Sequence, residues 1–90
     1  MDLDHVRTFV AIVDEGGFRR AARARYLSQP SVSHHIRRLE AEMGTVLFLR
    51  GRDGCHLTDA GLRFLPFARV MLVTEQAALS SSQGPVAHPA

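Results

Sequence analysis

Ser28-Gln29-Pro30-Ser31-Val32-Ser33-His34-His35-Ile36-Arg37-Arg38-Leu39-Glu40-Ala41-Glu42-Met43-Gly44 is the stretch whose reading decides the fold. Ser28 is suited to cap a helix through its hydroxyl, and Pro30 falls in the first turn of that helix, where a missing N–H costs nothing. Gly44 can stop it by taking the left-handed conformation of a helix end. Between these signals Val32, Ile36, Leu39 and Met43 form one narrow apolar stripe. At about 100° per residue, the opposite face carries Pro30, Ser31, His34, Arg37, Arg38 and Ala41, with Ser33 and His35 on its flanks. The spacing predicts a helix over 29–43 that buries one edge and turns small polar groups, then arginines, to solvent.

Upstream, a short helix is expected over about Arg19 to Tyr26, with the small pair Ala21-Ala22 for close helix approach and Phe18 and Leu27 as apolar anchors. Because Ser28 both ends this helix and caps the next, the turn between them is very short, which is the signature of a helix-turn-helix. A first helix is expected from about Asp2 to Glu15. Leu3, Val6, Phe9, Val10 and Val13 repeat at helical spacing, Asp2 and Asp4 suit the positive end of the helix dipole, and Gly16-Gly17 ends it.

Downstream, 46–50 and 55–57 read as two short strands around Asp53-Gly54, a dipeptide that favours the type I′ hairpin turn. Arg50, Arg52 and His56 decorate this hairpin, a candidate wing. Thr58 caps a last helix reaching about Leu79, locally kinked at Pro66. There Leu65, Leu72 and Leu79 repeat every seven residues with Ala68 between the first two, the pattern of a coiled-coil seam. The competing assignment packs that stripe back on the chain's own first helix, and Val70 and Val73 suit it as well. From Ser80 to Ala90 the chain is rich in Ser, Gly and Pro without periodicity, and reads as a flexible tail or the start of a hinge. The expected organisation is thus mainly α: a winged helix-turn-helix of three helices and a two-stranded hairpin over 1–57, a linker helix over 58–79, and a tail over 80–90.

The net charge of +2 conceals a segregation. Between Arg19 and Arg52 stand eight arginines against Glu40 and Glu42, a local balance of +6, while the other acids lie towards the ends of the sequence. A basic middle suits phosphate binding, although a merely solvated helical surface would look the same. No apolar run approaches the roughly 20 residues needed to cross a bilayer, and the first residues do not read as a signal peptide, so a cytoplasmic protein is expected. Cys55 is the single cysteine and reads as a small apolar residue under the wing. Adjacent His34 and His35 do not aim at a common ligand position, so no metal and no cofactor are expected. There is no phosphate-cradling glycine motif, no nucleophile elbow and no paired carboxylates of an enzyme.

Ser28-Gln29-Pro30-Ser31-Val32-Ser33 followed by Ile36-Arg37-Arg38-Leu39-Glu40 resembles the recognition-helix block of LysR-type transcriptional regulators. Leu47-Phe48 with Arg50, then Leu57-Thr58-Asp59-Ala60-Gly61, is similar to that family's wing and linker-helix start. Phe9-Val10-Ala11, Gly16-Gly17-Phe18 and Ala21-Ala22 match its first two helices without insertion. The resemblance covers about Met1 to Leu79, and five blocks in register are more specific than any one. It implies a bacterial regulator that places the 29–43 helix in the major groove of promoter DNA and pairs through the linker helix. It also implies a following hinge and two-lobed effector-binding domain, which these residues do not contain.

On that resemblance the candidate DNA-binding residues are Gln29, Pro30, Ser31, Ser33, His34, Arg37, Arg38, Arg50 and Arg52. Gln29 can bond an adenine edge bidentately and Pro30 can meet a thymine methyl. Ser31 and Ser33 suit phosphate or base contact, against a purely local capping role. The candidate dimerisation residues are Leu65, Ala68, Leu72 and Leu79. The sequence departs from the family at His34, where arginine is frequent, and at His35, where glutamine or another polar residue is. It also departs at Arg19, often Ser or Thr, and at Asp53, often basic. The first change puts a pH-sensitive group at a major contact, and the last places the wing below the recognition helix in importance. The rival function is a helical dimerising interaction module whose arginines serve solubility alone; steep salt dependence of duplex binding separates the two.

Overall fold

The computed structural model describes residues 1–52 and 54–82. Element order is α1 (Leu3–Glu15), α2 (Phe18–Ala24), α3 (Gln29–Met43), β1 (Phe48–Gly51), β2 (Gly54–Leu57) and α4 (Asp59–Ser81). Each long helix begins at a side-chain cap: Asp2 accepts from Asp4 N–H, Ser28 from Ser31 N–H and Thr58 from Gly61 N–H. Gly16 and Gly44, both at positive φ, end α1 and α3.

The end of α2 is different. Leu27 N–H donates to Ala22 O (2.8 Å) and Tyr26 N–H to Arg23 O (3.2 Å), the two bonds of a Schellman motif. Its left-handed position is held by Tyr26 at φ 55°, not by glycine. This is why the helix ends at Ala24 and not at Tyr26 as the sequence predicts. A bulky side chain there costs about 1–2 kcal/mol of backbone energy.

One core serves all elements. Val6, Phe9 and Ile12 of α1, Ala21 and Ala22 of α2, and Val32, Ile36 and Leu39 of α3 are buried together with Leu47, Phe48, Phe64 and Ala68. Phe9 meets Phe48 at a tilt and Phe64 edge-on, at centroid distances of 5.3 and 5.0 Å, and Phe48 meets Phe18 edge-on at 5.5 Å, so aromatic contacts join α1, α2, the hairpin and α4. The centre of the α1 stripe is Val6-Phe9-Ile12 with the buried Thr8, while Val10 and Val13 are only half-buried. The shift follows from α1 packing against α2, α3 and α4 on several sides rather than one.

The hairpin pairs Phe48 with Leu57, Leu49 with His56, Arg50 with Cys55 and Gly51 with Gly54. Burial of Phe48 and Leu57 fixes this register, since a one-residue slip would turn every side chain over. Gly54 is therefore a strand residue, a correction to its expected place in an Asp53-Gly54 turn; Asp53 lies outside the described residues. Val46 and Leu47 precede the strand because their backbone groups are engaged elsewhere. Thr58 Oγ1 donates to Val46 O (2.7 Å), Leu47 N–H donates to Glu40 Oε2 (2.7 Å), and Thr58 N–H donates to Leu47 O (3.0 Å).

α4 runs through Pro66 and ends two residues beyond Leu79, so Ser80 and Ser81 are helical rather than part of a tail; residues 83–90 lie outside the described residues. Its first half is integral to the core, through Gly61, Phe64 and Ala68. The division at 57/58 is thus an element boundary that the core crosses. Two ion pairs clamp α4 to α1: Arg69 bonds Asp14 through both Nη atoms (2.7 and 3.2 Å), and Arg7 pairs with Glu75.

The heptad stripe is split by this packing. Ala68 is fully buried within its own chain and cannot meet a second one, while Leu65 and Leu72 are half-buried against the same core. Leu79 alone of the four stays exposed. The other exposed large apolar residues of α4 are Leu62, Phe67, Val70 and Val73, and at helical spacing Leu62, Pro66, Val70, Val73 and Ala77 make one ridge away from the buried Gly61–Ala68 face.

Candidate nucleic-acid interface

The candidate surface is built on α3. Its stripe of Val32, Ile36 and Leu39 is buried, which leaves Gln29, Pro30, His34, Arg37 and Arg38 exposed. Gln29 and Pro30 open the helix directly after its cap. Ser28 Oγ accepts from Ser31 N–H at 3.2 Å and donates to Ser31 Oγ at 2.9 Å, so both serines organise the helix end and Ser31 keeps its own hydroxyl proton for another acceptor. Among the described residues Arg37 and Arg38 have no carboxylate partner; of the eight arginines between positions 19 and 52, Arg25 is the one in an ion pair. That face can therefore offer its guanidinium groups to an external anion.

Arg50 is tied inward. Its Cζ lies 3.7 Å from the Phe18 ring centroid, a cation–π contact, and its Nη2 donates to Ser33 Oγ at 3.3 Å. The wing, the start of α2 and the middle of α3 are joined by this one side chain. Arg52, at the hairpin tip, is exposed. Cys55 is half-buried, and burial pushes its thiol above its ordinary range, consistent with a packing role.

A polar cluster behind α3 brings together residues that the sequence does not associate, among them Asp4 and His35. Buried Thr8 donates to Asp4 O (3.2 Å), lies 2.7 Å from His35 Nδ1 and accepts from Arg25. Arg25 Nη2 also donates to Asp4 Oδ1 at 2.6 Å. The His35 ring stacks on His5 with centroids 4.7 Å apart. Burial above all, then the neighbouring His5, lowers the His35 imidazole from its ordinary range, while the Arg25 hydrogen bond, against some burial, holds the Asp4 carboxyl below its own. His35 is thus an internal residue joining α3 to α1, whereas His34 points outward. Arg25 lies 21 positions from Asp4 and His35 lies 27 from Thr8, and the one local sign is a threonine inside the buried stripe of α1.

No helix among the described residues is long and apolar enough to cross a membrane, and no group of His, Cys, Asp and Glu among them could hold a metal ion.

Comparison with known proteins places the arrangement. Residues 3–62 match the family described as bacterial regulatory helix-turn-helix protein, lysR family. The chain is 45% identical over 84 residues to the HTH-type transcriptional regulator BudR of Klebsiella aerogenes, covering 93% of this chain and 59% of that protein. It is 46% identical over 77 residues to the uncharacterized HTH-type transcriptional regulator YxjO of Bacillus subtilis (strain 168), covering 86% of this chain and 26% of that one. The chain therefore spans between about a quarter and three fifths of these relatives. Among solved structures it is similar to the CbnR_DBD–DNA complex, with a TM-score of 0.87 and 32% identity over 92% of this chain and 95% of that one. With its four helices and two-stranded wing in the same arrangement, the chain belongs to the lysR family of bacterial regulatory helix-turn-helix proteins.

Proposed function

We propose that this chain is the sequence-specific DNA-binding part of a bacterial transcription regulator, acting in the cytoplasm without chemistry or cofactor of its own. The observation that carries the proposal is the exposed face of α3, where Gln29 and Pro30 lead into His34, Arg37 and Arg38, none of them claimed by the fold. The similar CbnR_DBD was crystallised with DNA, which supports the same use of this surface. In this reading α3 lies in the major groove, Gln29 and Pro30 meet base edges, and Ser31, Ser33, His34, Arg37 and Arg38 contact bases or phosphates. Arg50 first positions the wing, and Arg52 reaches the backbone beside it. Two copies pair through the exposed ridge of α4, so that two α3 helices face an inverted repeat about one helical turn, or a multiple of it, apart.

The test is a footprint on the intergenic DNA beside the gene, followed by binding titrations against salt. Gln29→Ala should cost about 1–3 kcal/mol on the footprinted site and relax preference at one base position. Arg38→Ala should weaken all sequences alike and reduce the salt slope by about one. A wild-type chain that forms dimers yet gives no salt-dependent shift with any duplex would identify an interaction module instead.

A further inference from the structure

Tyr26 is the least economical residue of the fold. It takes the left-handed position at the end of α2 with φ 55°, the role that Gly16 and Gly44 fill for α1 and α3. A side chain in that conformation is disfavoured, and residues held there against preference gather at functional sites. Packing does not offset the cost, because the side chain is 96% exposed. The next residue, Leu27, is half-buried against the core and anchors the turn, leaving Tyr26 on its outer side. Glycine would close the same turn with less strain.

Position gives the ring a use. Tyr26 lies two residues before Ser28, the cap of α3, and three before Gln29, so its Cα is within about 7 Å of Ser28. A duplex that receives the start of α3 in its major groove has a phosphate strand at the groove's edge, next to the turn leading into that helix. A tyrosine there can donate its phenol O–H to a phosphate oxygen and lay its ring against the adjacent sugar.

We propose that Tyr26 is a DNA-backbone contact that sets the seat of α3 in the groove, and that its strained backbone is retained for this contact. The inference rests on the reading of α3 as the DNA-binding helix. The contact is neutral, so unlike an arginine contact it adds affinity without adding to the salt dependence.

The test uses the intact chain and its footprinted duplex. Tyr26→Gly should raise the melting temperature by a few degrees while weakening binding to the duplex about 10-fold. Tyr26→Phe should keep the wild-type melting temperature and lose about 3-fold or more in affinity, with an unchanged salt slope. Since Tyr26 is the single tyrosine and there is no tryptophan, 3-fluorotyrosine labelling gives one 19F resonance, which should shift on adding duplex. The proposal is overturned if both variants bind like wild type and the resonance stays put while Gln29→Ala still loses affinity. If neither wild type nor Gln29→Ala binds any duplex with salt dependence, the α3 reading has failed and this inference fails with it.

Discussion

Arg50 Nη2 donates to Ser33 Oγ across the space between wing and recognition helix, at 3.3 Å, while the rest of the guanidinium covers Phe18. An arginine that sequence reasoning assigns to DNA is thus first a spacer between three elements. Arg50→Ala removes a cation–π contact worth about 0.5–1 kcal/mol at an exposed site. The expected result is a melting temperature lower by a few degrees and an affinity loss of about 3- to 10-fold. Arg50→Lys separates positioning from charge: lysine restores the salt slope but not the stacked, forked geometry. A lysine variant with full stability and full affinity would show that Arg50 acts by charge alone.

The pair formed by Asp4 and Arg25 should be visible in acid. The Arg25 hydrogen bond, offset in part by burial and aided by Arg7, keeps the Asp4 carboxyl below its ordinary value of 3.8. A carboxyl lowered in the folded state stabilises fully above the unfolded value, and that contribution is lost as pH falls through the folded one. Asp4 is 43% exposed, so solvent screening limits the contribution to about 1 kcal/mol or less. Asp4→Asn should therefore melt a few degrees lower at pH 7, with the gap narrowing as pH falls below the ordinary carboxyl value of 3.8 and through the lower folded one. An equal gap at pH 3 and pH 7 would assign the effect to side-chain geometry instead of charge. Asp14, held low mainly by the Arg69 hydrogen bond, adds a similar acid limb that the variant leaves intact.

Among the glycines of the described residues, Gly61 has the closest neighbours. A Cβ at that position would lie 2.4 Å from Leu47 O and 2.8 Å from Leu57 Cδ2, where α4 crosses the base of the wing. Alanine is the better helix former by about 1 kcal/mol, but overpacking against a backbone carbonyl costs about 1–3 kcal/mol. That carbonyl already accepts Thr58 N–H and cannot retreat freely. Gly61→Ala should lower thermal stability, and a variant that melts above wild type would contradict the packing described for this crossing.

What could be read in the sequence was what local chemistry specifies. α3 runs over 29–43 as expected, because Ser28, Pro30 and Gly44 are signals within a few residues of the ends they set. The end of α2 was less legible, since a tyrosine fills a position where glycine or asparagine is the usual cue. The strand bounds depended on Glu40 and Thr58 binding the backbone of 46 and 47, contacts between elements that no window of neighbouring residues contains. The Asp4, Thr8, Arg25 and His35 cluster was invisible for the same reason. In α4 both faces are apolar, so periodicity alone could not tell the face that meets α1 from the one that meets solvent.

That ambiguity leads to the prediction on assembly. Leu65 and Leu72 of the heptad are packed against the chain's own core, whereas Val70 and Val73 stand 62% and 69% exposed on the ridge they share with Leu62. Burying each such side chain contributes about 1.5–3 kcal/mol, so the ridge is sufficient to hold two copies together. Val70→Glu should fold with wild-type thermal stability but sediment as a monomer at micromolar concentration. It should bind a single half-site normally and the inverted repeat at least about 10-fold more weakly than wild type. Leu72→Glu should behave differently, because a charge placed against the core destabilises the fold itself. If Val70→Glu remains a dimer while Leu72→Glu gives a folded monomer, the pairing surface is the heptad stripe after all, and α4 must leave α1 to form it.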